Sequence, residues 1–178
     1  MKRLGIVGWK GSGKTTLVVR LLSELSGRGF VVSTLKHAHH SFDIDQPGRD
    51  SHAHRTAGAA EVMISSEKRW ALMHETGRGR EATLDELASK MHPVDLLLVE
   101  GYKRERFDKI EVHRPAVGKP LLAPDDRDIV AVAVDRPLDG IDRPQLDLDD
   151  VAGIADFIVG HCGLARDTAA PPPSHRPI

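Results

Sequence analysis

The stretch Gly8–Thr16, "GWKGSGKTT", fits the pattern G-x-x-x-x-G-K-[ST] at each of its fixed positions. The apolar segment Arg3–Val7 precedes it, and leucines and valines at helical spacing follow it in "TTLVVRLLSEL". Gly11 and Gly13 allow the backbone to turn its N–H groups inward, toward the point at which the positive end of the next helix is directed. A strand, a glycine-rich loop and a helix in this order predict a phosphate-binding loop of the P-loop type.

Three side chains of this loop and one distant acid have predicted roles at a bound nucleotide. Lys14 reaches the β- and γ-phosphates, Thr15 offers its hydroxyl to Mg²⁺, and Thr16 reaches the α-phosphate. The acid beside Mg²⁺ usually ends a neighbouring buried strand, and "DLLLVEGYK" supplies Glu100 there. Glu100 either holds the metal through water or orients an attacking water; the alternative is a strand-end carboxylate that faces solvent. Lys14 and Glu100 are the candidate catalytic residues.

Length, charge and cysteine content limit the class of protein. A chain of 178 residues fits one domain with a full hydrophobic core. The formal net charge of -1 gives the whole chain no attraction for nucleic acid or for an anionic membrane. The single cysteine, Cys162, excludes an intrachain disulfide and a zinc site built from cysteines. No segment approaches the roughly 20 apolar residues of a membrane helix, so we expect a soluble cytoplasmic protein without nucleic-acid or membrane partners.

Strand and helix patterns alternate along most of the chain. The segments "DLLLVEG" and "DIVAVAVD" are apolar without alternation, as strands buried on both faces are. We therefore predict an α/β fold of the P-loop NTPase class, with a mainly parallel sheet flanked by helices. The segment Glu61–Glu75 is a candidate antiparallel β ribbon.

The domain organisation follows from the end of the chain. A last helix in "VAGIADFIVGHC" is expected to have its N-cap near Asp147 or Asp149. The predicted nucleotide-binding domain covers residues 1–166. The segment 167–178 is polar and rich in proline, and we expect it to be a disordered tail.

The segment Thr34–His54, "TLKHAHHSFDIDQPGRDSHAH", contains five of the ten histidines and three aspartates. A strand that ends at Lys36 delivers it to the carboxyl edge of the sheet, where ligands bind in open α/β folds. Lys36 and His37 are therefore expected beside the phosphates, and Asp45 or Asp50 is expected to reach Mg²⁺ directly or through water.

Two other interpretations of the same segment stay open. A transition-metal site needs three or four ligands in fixed geometry, and His37, His39 and His40 are the candidates. His52 and His54 are two residues apart, which places them on different sides of a helix. The third interpretation is a solvated loop without a role.

Three pieces of the chain together resemble one family: "VGWKGSGKTTL", "TLKHAHHSFDIDQPGRDSHAHRTAGA" and "DLLLVEGYK". They resemble the MobB family of molybdopterin-guanine dinucleotide biosynthesis adapter proteins, and the resemblance covers roughly residues 3–160. The middle piece is the most diagnostic, because many activities share a P-loop. The resemblance implies a homodimer that binds GTP and has feeble GTPase activity. It also implies a supporting role beside the guanylyltransferase that builds the guanine dinucleotide form of the molybdenum cofactor from molybdopterin.

The resemblance also implies a set of site residues. The implied phosphate contacts are Gly11, Ser12, Gly13, Lys14, Thr15 and Thr16. The implied Mg²⁺ contacts are Thr15, Glu100 and Asp45. The histidine-rich segment would then lie at the mouth of the nucleotide site and near the partner subunit.

Guanine selection has no complete motif in this chain. The N-K-x-D sequence of ordinary GTPases, whose acid accepts hydrogen bonds from guanine N1 and N2, is absent. Asp135, at the end of "IVAVAVD", is the candidate base-reading acid; a plain turn before Arg136 and Pro137 is the other interpretation. A preference for GTP over ATP therefore follows from the resemblance and not from a motif.

Two other functions use the same loop. A small-molecule kinase needs a lid with arginines and an acid that accepts a hydroxyl proton, and "RGREATLDEL" and "GYKRERFDK" are candidate segments. A metallochaperone GTPase would use the histidines, and stoichiometric Zn²⁺ or Ni²⁺ binding would favour it. An adapter with at most slow GTPase activity is the first hypothesis, because no arginine finger or general base is evident in the sequence.

Overall fold

The computed structural model describes residues 1–38, 42–77 and 79–165. These residues form two units: Met1–His37 with the chain from Met91 onward, and Ala38–Lys90. The tail predicted at 167–178 lies outside the described residues. In the part of the chain that is described, no helix is both long and apolar enough to cross a membrane.

The described residues contain eight strands and four α-helices. The strands are β1 (Lys2–Val7), β2 (Val32–Lys36), β3 (Glu61–Ser65), β4 (Trp70–His74), β5 (Leu96–Glu100), β6 (Lys109–His113), β7 (Ile129–Val134) and β8 (Gln145–Asp147). The helices are α1 (Lys14–Gly27), α2 (Asp50–Thr56), α3 (Leu84–Ser89) and α4 (Val151–Cys162).

The first unit is built on a six-stranded sheet in the order β2-β5-β1-β6-β7-β8. All of its strand pairings are parallel, which confirms the predicted α/β fold with a mainly parallel sheet. Every residue of β5 is buried, as its apolar run without alternation predicts. The order places β5 and β6 on either side of β1, so the segments that follow these strands lie beside the glycine-rich loop.

Helices α1 and α4 contribute the main hydrophobic core. Their buried side chains are Leu17, Val18, Leu21 and Leu25 in α1 and Ile154, Ala155, Ile158 and Cys162 in α4. These side chains belong to one cluster with Leu4 and Ile6 of β1 and with Leu96 and Leu98 of β5. Each fully buried leucine contributes roughly 1.5–3 kcal/mol to folding, so this packing holds the sheet and the start of α1 in a fixed geometry.

The N-cap of α4 lies directly beside the predicted positions. It is Asp150, one residue after Asp149, and its carboxylate accepts a hydrogen bond from the Gly153 N–H at 2.9 Å. Asp147 ends β8, the short strand at the edge of the sheet. The chain therefore turns after Asp147 before the helix starts.

The second unit contains the antiparallel ribbon of β3 and β4, which confirms the ribbon predicted in Glu61–Glu75. The two strands pair from Glu61 opposite His74 to Ser65 opposite Trp70. Val62 and Met73 are buried, and the other residues of the strands are half-buried or exposed. Helix α2 contacts β3, and α3 begins with a capping box between Thr83 and Glu86.

Candidate functional site

The glycine-rich loop joins the buried end of β1 to the start of α1. Gly8 has a φ of +142°, and a Cβ atom there would lie 2.4 Å from the carbonyl oxygen of Val112. Only glycine fits this position. Gly13 is the N-cap of α1 with a φ of +99°, and it has no side chain to cap the helix. The first N–H groups of α1 are thus available to an anion.

Two polar groups of this loop, one half-buried and one buried, bear on what it can bind. The Lys14 Nζ donates a hydrogen bond to the carbonyl oxygen of Trp9 at 2.8 Å. Burial lowers the pKa of Lys14, and the positive charges of Lys103 and Lys36 lower it further, against the opposing effect of Glu100. Ser12 is 2% exposed, and its Oγ has no hydrogen-bond partner among the described residues. An unsatisfied buried hydroxyl is unfavourable, so the loop fits a polar ligand.

Thr15 and Glu100 meet at the carboxyl edge of the sheet. The Thr15 hydroxyl donates to Glu100 Oε1 at 2.6 Å. The parallel pairing of β2 with β5 sets Lys36 opposite Glu100, and the Lys36 Nζ lies 3.2 Å from the same oxygen. A hydroxyl and a nearly buried carboxylate at one point are oxygen donors of the kind that Mg²⁺ binds beside nucleotide phosphates, so the residues present fit this ion.

His37 lies against the turn that follows Glu100. Its backbone N–H donates to the Glu100 carbonyl oxygen at 2.9 Å, and its ring centroid is 4.7 Å from that of Tyr102. Tyr102 has a φ of +53° and Gly101 a φ of +98°, so two successive residues adopt the left-handed region. A strained turn of this kind is often kept at functional sites; here it directs the chain after β5 past the glycine-rich loop.

Asp135 directly follows β7, which lies two strands from β1 in the sheet, and its carboxylate is paired with Arg114. Arg114 Nη1 lies 3.0 Å from Asp135 Oδ2, and Arg114 Nε donates to the carbonyl oxygen of Ser12 at 3.2 Å. One guanidinium therefore connects the candidate base-reading acid with the phosphate loop. Arg114 is a site residue that sequence analysis missed; the available signal was its position directly after the buried strand β6.

One further residue near the loop, Lys103, was not identified as a site residue from the sequence. The Lys103 Nζ lies 4.3 Å from the centroid of the Trp9 ring, and Trp9 Nε1 donates to the Pro120 carbonyl oxygen at 2.7 Å. Trp9 thus contacts two other groups of the protein, at Lys103 and at Pro120. Lys103 is the last residue of the piece "DLLLVEGYK". The available signal was its position in the chain, three residues after the end of β5.

Asp45 belongs to the second unit, where Arg55 binds it through two nitrogens. Arg55 Nε and Nη2 donate to the Asp45 carboxylate at 3.1 and 2.9 Å. Hydrogen bonding from Arg55 holds the pKa of Asp45 below its usual value. Asp43 and Glu75 also lie within ion-pair distance of the same arginine. Asp50 is the first residue of α2.

The transition-metal interpretation rests partly on residues without a description. His39 and His40 lie outside the described residues. Among residues 1–38, 42–77 and 79–165, no group of three or more His, Cys, Asp or Glu side chains is arranged to hold a metal ion. The residues brought together in the first unit are instead Lys14, Thr15, Lys36 and Glu100.

Comparison with known proteins gives consistent matches. The family described as "Molybdopterin guanine dinucleotide synthesis protein B" matches residues 3–135 of this chain. The molybdopterin-guanine dinucleotide biosynthesis adapter protein of Escherichia coli (strain K12) is 45% identical over 159 residues, which cover 88% of this chain and 90% of that protein. The protein of the same name from Haemophilus influenzae is 44% identical, over 87% of this chain and 86% of that one.

Solved structures agree with these matches. The crystal structure of a MobB protein homolog from Bacillus stearothermophilus has a TM-score of 0.68 to this chain at 25% identity, and it covers 93% of this chain and 100% of that one. The match over residues 3–135 spans the glycine-rich loop, the histidine-rich segment and Glu100. The chain belongs to the MobB family, the adapter proteins of molybdopterin guanine dinucleotide biosynthesis.

Proposed function

We propose that this adapter protein binds GTP and Mg²⁺ at its glycine-rich loop, with slow GTP hydrolysis at most. We also propose that it assists, in the cytoplasm, the guanylyltransferase that makes the guanine dinucleotide form of the molybdenum cofactor from molybdopterin. The observation that carries the nucleotide proposal is the 2.6 Å contact between Thr15 Oγ1 and Glu100 Oε1 beside the start of α1. Membership of the MobB family supplies the biosynthetic setting.

The phosphate contacts follow from the shape and charge of the loop. The proposed phosphate-binding residues are Gly11, Ser12, Gly13, Lys14, Thr15 and Thr16. The N–H groups at the start of α1 receive the anion, and the unpartnered Ser12 Oγ supports a polar ligand. Lys14 exchanges its hydrogen bond to the Trp9 carbonyl oxygen for stronger charge-assisted bonds to phosphate.

Thr15 and Glu100 are the proposed Mg²⁺ side of the site. Mg²⁺ keeps several waters and usually takes only one or two carboxylates from the protein, so one hydroxyl and one carboxylate are sufficient. When bound, Mg²⁺ neutralises charge that develops on the phosphate oxygens. Lys36 Nζ lies 3.2 Å from Glu100 Oε1, where it orients this carboxylate and adds positive charge near the phosphates. His37 follows Lys36 in the chain and donates its backbone N–H to the Glu100 carbonyl oxygen. Asp45 as a further Mg²⁺ contact stays a prediction from the sequence.

Slow hydrolysis agrees with the state of Glu100. Its Oε1 accepts from Thr15 and lies within ion-pair distance of Lys36, so its charge is directed toward these groups. A general base has to reach the attacking water with a free lone pair and a suitable pKa. We therefore assign Glu100 to metal binding and water orientation, and Lys14 to phosphate charge, without a strong base.

Asp135 is the proposed contact to the guanine base. It follows β7, on the side of β1 opposite to β5, so the base would extend away from the Mg²⁺ side of the loop. Arg114 holds one carboxylate oxygen of Asp135 and leaves the other for the guanine N1 and N2 donors. This supports GTP over ATP, because adenine has no donor at the corresponding ring nitrogen.

The homodimer proposal is supported by the exposed apolar side chains of the second unit. On one face of the ribbon, Met63 and Leu72 lie opposite each other and are 61% and 41% exposed. Trp70, 49% exposed, adjoins them on the same face. Contiguous exposed apolar surface marks interaction sites, and two-fold symmetric dimers are the commonest assemblies. We propose that this face is covered by a second copy of the chain.

Calorimetric titration of the purified protein with GTP and with ATP, each with and without Mg²⁺, tests the proposed function. We expect GTP to bind at least roughly tenfold tighter than ATP, a difference of about 1.4 kcal/mol. Lys14→Ala serves as the negative control: it should lose nucleotide binding and keep the melting temperature, because Lys14 is a loop ligand and no part of the core. Preference for ATP would contradict the GTP proposal and favour a small-molecule kinase.

A further inference from the structure

We propose that Lys103 is a second phosphate-binding cation of this site, which binds the β- or γ-phosphate of the nucleotide together with Lys14. The inference rests on the proposed binding of a nucleotide at the glycine-rich loop. It adds a residue that lies outside the loop pattern, three positions after the end of β5.

The backbone carbonyl group of Lys103 accepts a hydrogen bond from a buried lysine side chain. Lys109, on β6, is 1% exposed. Its Nζ donates to the carbonyl oxygens of Lys103 at 3.2 Å and Glu105 at 2.8 Å, and it lies 2.7 Å from Asp126 Oδ2. Burial of an ammonium is costly unless all of its protons are bonded, and here three acceptors surround it. The segment that carries Lys103 therefore has a fixed position at the edge of the sheet.

The side chain of Lys103 is directed to the glycine-rich loop. Its Nζ lies 4.3 Å from the centroid of the Trp9 ring, within the range of a cation–π contact. The carbonyl oxygen of the same Trp9 accepts from Lys14 Nζ at 2.8 Å. Trp9 is itself fixed by the hydrogen bond from its indole N–H to Pro120. One anchored residue thus brings two ammonium groups to the loop that binds phosphate.

The charges around the loop favour a polyanion. Among the described residues, no carboxylate lies within ion-pair distance of Lys14 or Lys103, and the Glu100 carboxylate pairs with Lys36. Burial lowers the pKa of Lys14, and the positive charge of Lys103 lowers it further. Burial also lowers the pKa of Lys103, against the opposing charge of Glu111.

The Glu111 carboxylate is already committed elsewhere. It accepts from the backbone N–H groups of Leu122 and Ala123. Two partly desolvated cations close together repel each other, and a nucleotide polyphosphate relieves this repulsion. Because Lys14 serves the β- and γ-phosphates in this loop pattern, the neighbouring Lys103 is assigned to the same part of the ligand.

The inference is tested by calorimetric titration of the Lys103→Ala variant with GTP. GMP affinity of the same variant is measured by competition. We expect GTP affinity to fall roughly 10- to 100-fold, as for loss of a hydrogen bond to a charged group. GMP, which lacks the β- and γ-phosphates, should lose less than about twofold. Lys103→Arg should recover part of the GTP affinity because it keeps the charge. Lys119→Ala is the matched control, since Lys119 is exposed and its Nζ is 6.0 Å from the same ring; it should change neither affinity.

A second measurement uses Trp9 as a reporter in a Trp70→Phe background, which removes the only other tryptophan. The Trp9 emission should change when GTP is added, and Lys103→Ala should reduce that change. Unaltered GTP affinity in Lys103→Ala, or equal losses for GTP and GMP, would overturn the assignment of Lys103. Failure of the unsubstituted protein to bind any nucleotide would instead overturn the proposed function, and this inference with it.

Discussion

The two units of the chain differ in how far the residues of their strands are buried. In the parallel sheet, every residue of β5 and of β6 is buried. In the ribbon, Val62 is the buried residue of β3 and Met73 that of β4. Parallel sheets are stable when both faces are covered, whereas a two-stranded ribbon alone is marginal in water. The faces of the sheet are therefore covered within the described chain, whereas the ribbon leaves apolar side chains exposed.

The units also differ in how they balance charge. In the first unit, Lys14 and Lys103 lie beside the glycine-rich loop without a carboxylate of the described chain at ion-pair distance. In the second unit, Arg55 is surrounded by Asp43, Asp45 and Glu75. An arrangement with excess charge attracts a ligand of opposite charge, and a closed network of partners stabilises a fold. This contrast supports the proposal that the first unit binds the nucleotide, whereas the ion pairs of the second unit link its own residues to one another.

The largest expected effect concerns the ribbon. Leu72→Glu places a carboxylate on the face that we propose to be covered by a second copy. An unpaired charge buried in an interface costs about 3–5 kcal/mol, so dimer affinity should fall roughly 100-fold or more. Sedimentation velocity over a concentration series measures this. GTP affinity should not change, because the proposed nucleotide-binding residues belong to the other unit.

Two variants complete the ribbon test. Met63→Glu, on the same face and opposite Leu72, should act in the same way. Lys68→Glu introduces a carboxylate in the exposed turn between the strands, and it should leave the dimer intact. Dimers of unchanged affinity in both ribbon variants would show that this face is not the interface between subunits.

The next effect separates chemistry from binding in the first unit. Glu100→Gln removes the charge that faces Thr15 and Lys36 but keeps the shape of the side chain. Mg²⁺-dependent GTP hydrolysis should fall about 100-fold, within the range for loss of a group that positions the reacting water. GTP affinity should change less. Steady-state hydrolysis and calorimetry on the same preparation measure the two quantities.

Glu105→Gln is the control for that experiment. Glu105 is an exposed acid in the segment after β5, and only its backbone carbonyl is held by Lys109. The control should hydrolyse GTP as the unsubstituted protein does. If Glu100→Gln retains both hydrolysis and Mg²⁺ dependence, Glu100 has no part in the site.

Most of the fold was predictable from local patterns, with β8 as the exception. The strands β5 and β7 are continuous apolar runs, β1 ends in a short one, and α1 has leucines at helical spacing, so these elements are recognisable in the sequence. Strand β8, Gln145–Asp147, has three residues and no period of its own. It becomes a strand only because it pairs with the edge of β7, and no local pattern indicates that pairing.

The candidate site could be located from the sequence where one motif fixes the spacing. The glycine-rich loop is a local pattern, and Glu100 ends a recognisable strand. Arg114 and Lys103 are about 100 and 90 positions from the loop, and they approach it only through the sheet order, with β6 and β5 on either side of β1. The ion pair between Asp45 and Arg55 was likewise not visible in the sequence, and the contact of Asp45 with Mg²⁺ stays a prediction.

A smaller effect tests base recognition in the first unit. Asp135→Asn keeps the size of the side chain but cannot accept from both guanine donors. GTP affinity should fall roughly tenfold, which corresponds to about 1.4 kcal/mol. Xanthosine triphosphate, whose base carries a carbonyl where guanine carries an amino group, should bind the variant better than the unsubstituted protein. Asp139→Asn, at an exposed position after the same strand, is the control. Equal GTP affinity in both variants would remove Asp135 from the base site.

The smallest expected effect concerns the ion-pair network of the second unit. Because hydrogen bonds from Arg55 lower the pKa of Asp45 in the folded protein, this pair stabilises the fold above the unfolded-state pKa of about 4 and loses its effect as the pH falls further. Asp45→Asn should therefore lower the melting temperature at neutral pH, and its difference from the unsubstituted protein should shrink below about pH 4.

Asp43→Asn is the matched control, since Asp43 contacts the same arginine but is exposed, and its effect should be smaller because solvent screens the pair. The same variants decide the second role of Asp45. If Asp45 only supports the fold, Asp45→Asn binds GTP with an unchanged Mg²⁺ requirement. A higher Mg²⁺ requirement in Asp45→Asn but not in Asp43→Asn would make Asp45 a metal contact. The second unit would then contribute a residue to the proposed Mg²⁺ site, in addition to its structural ion pairs.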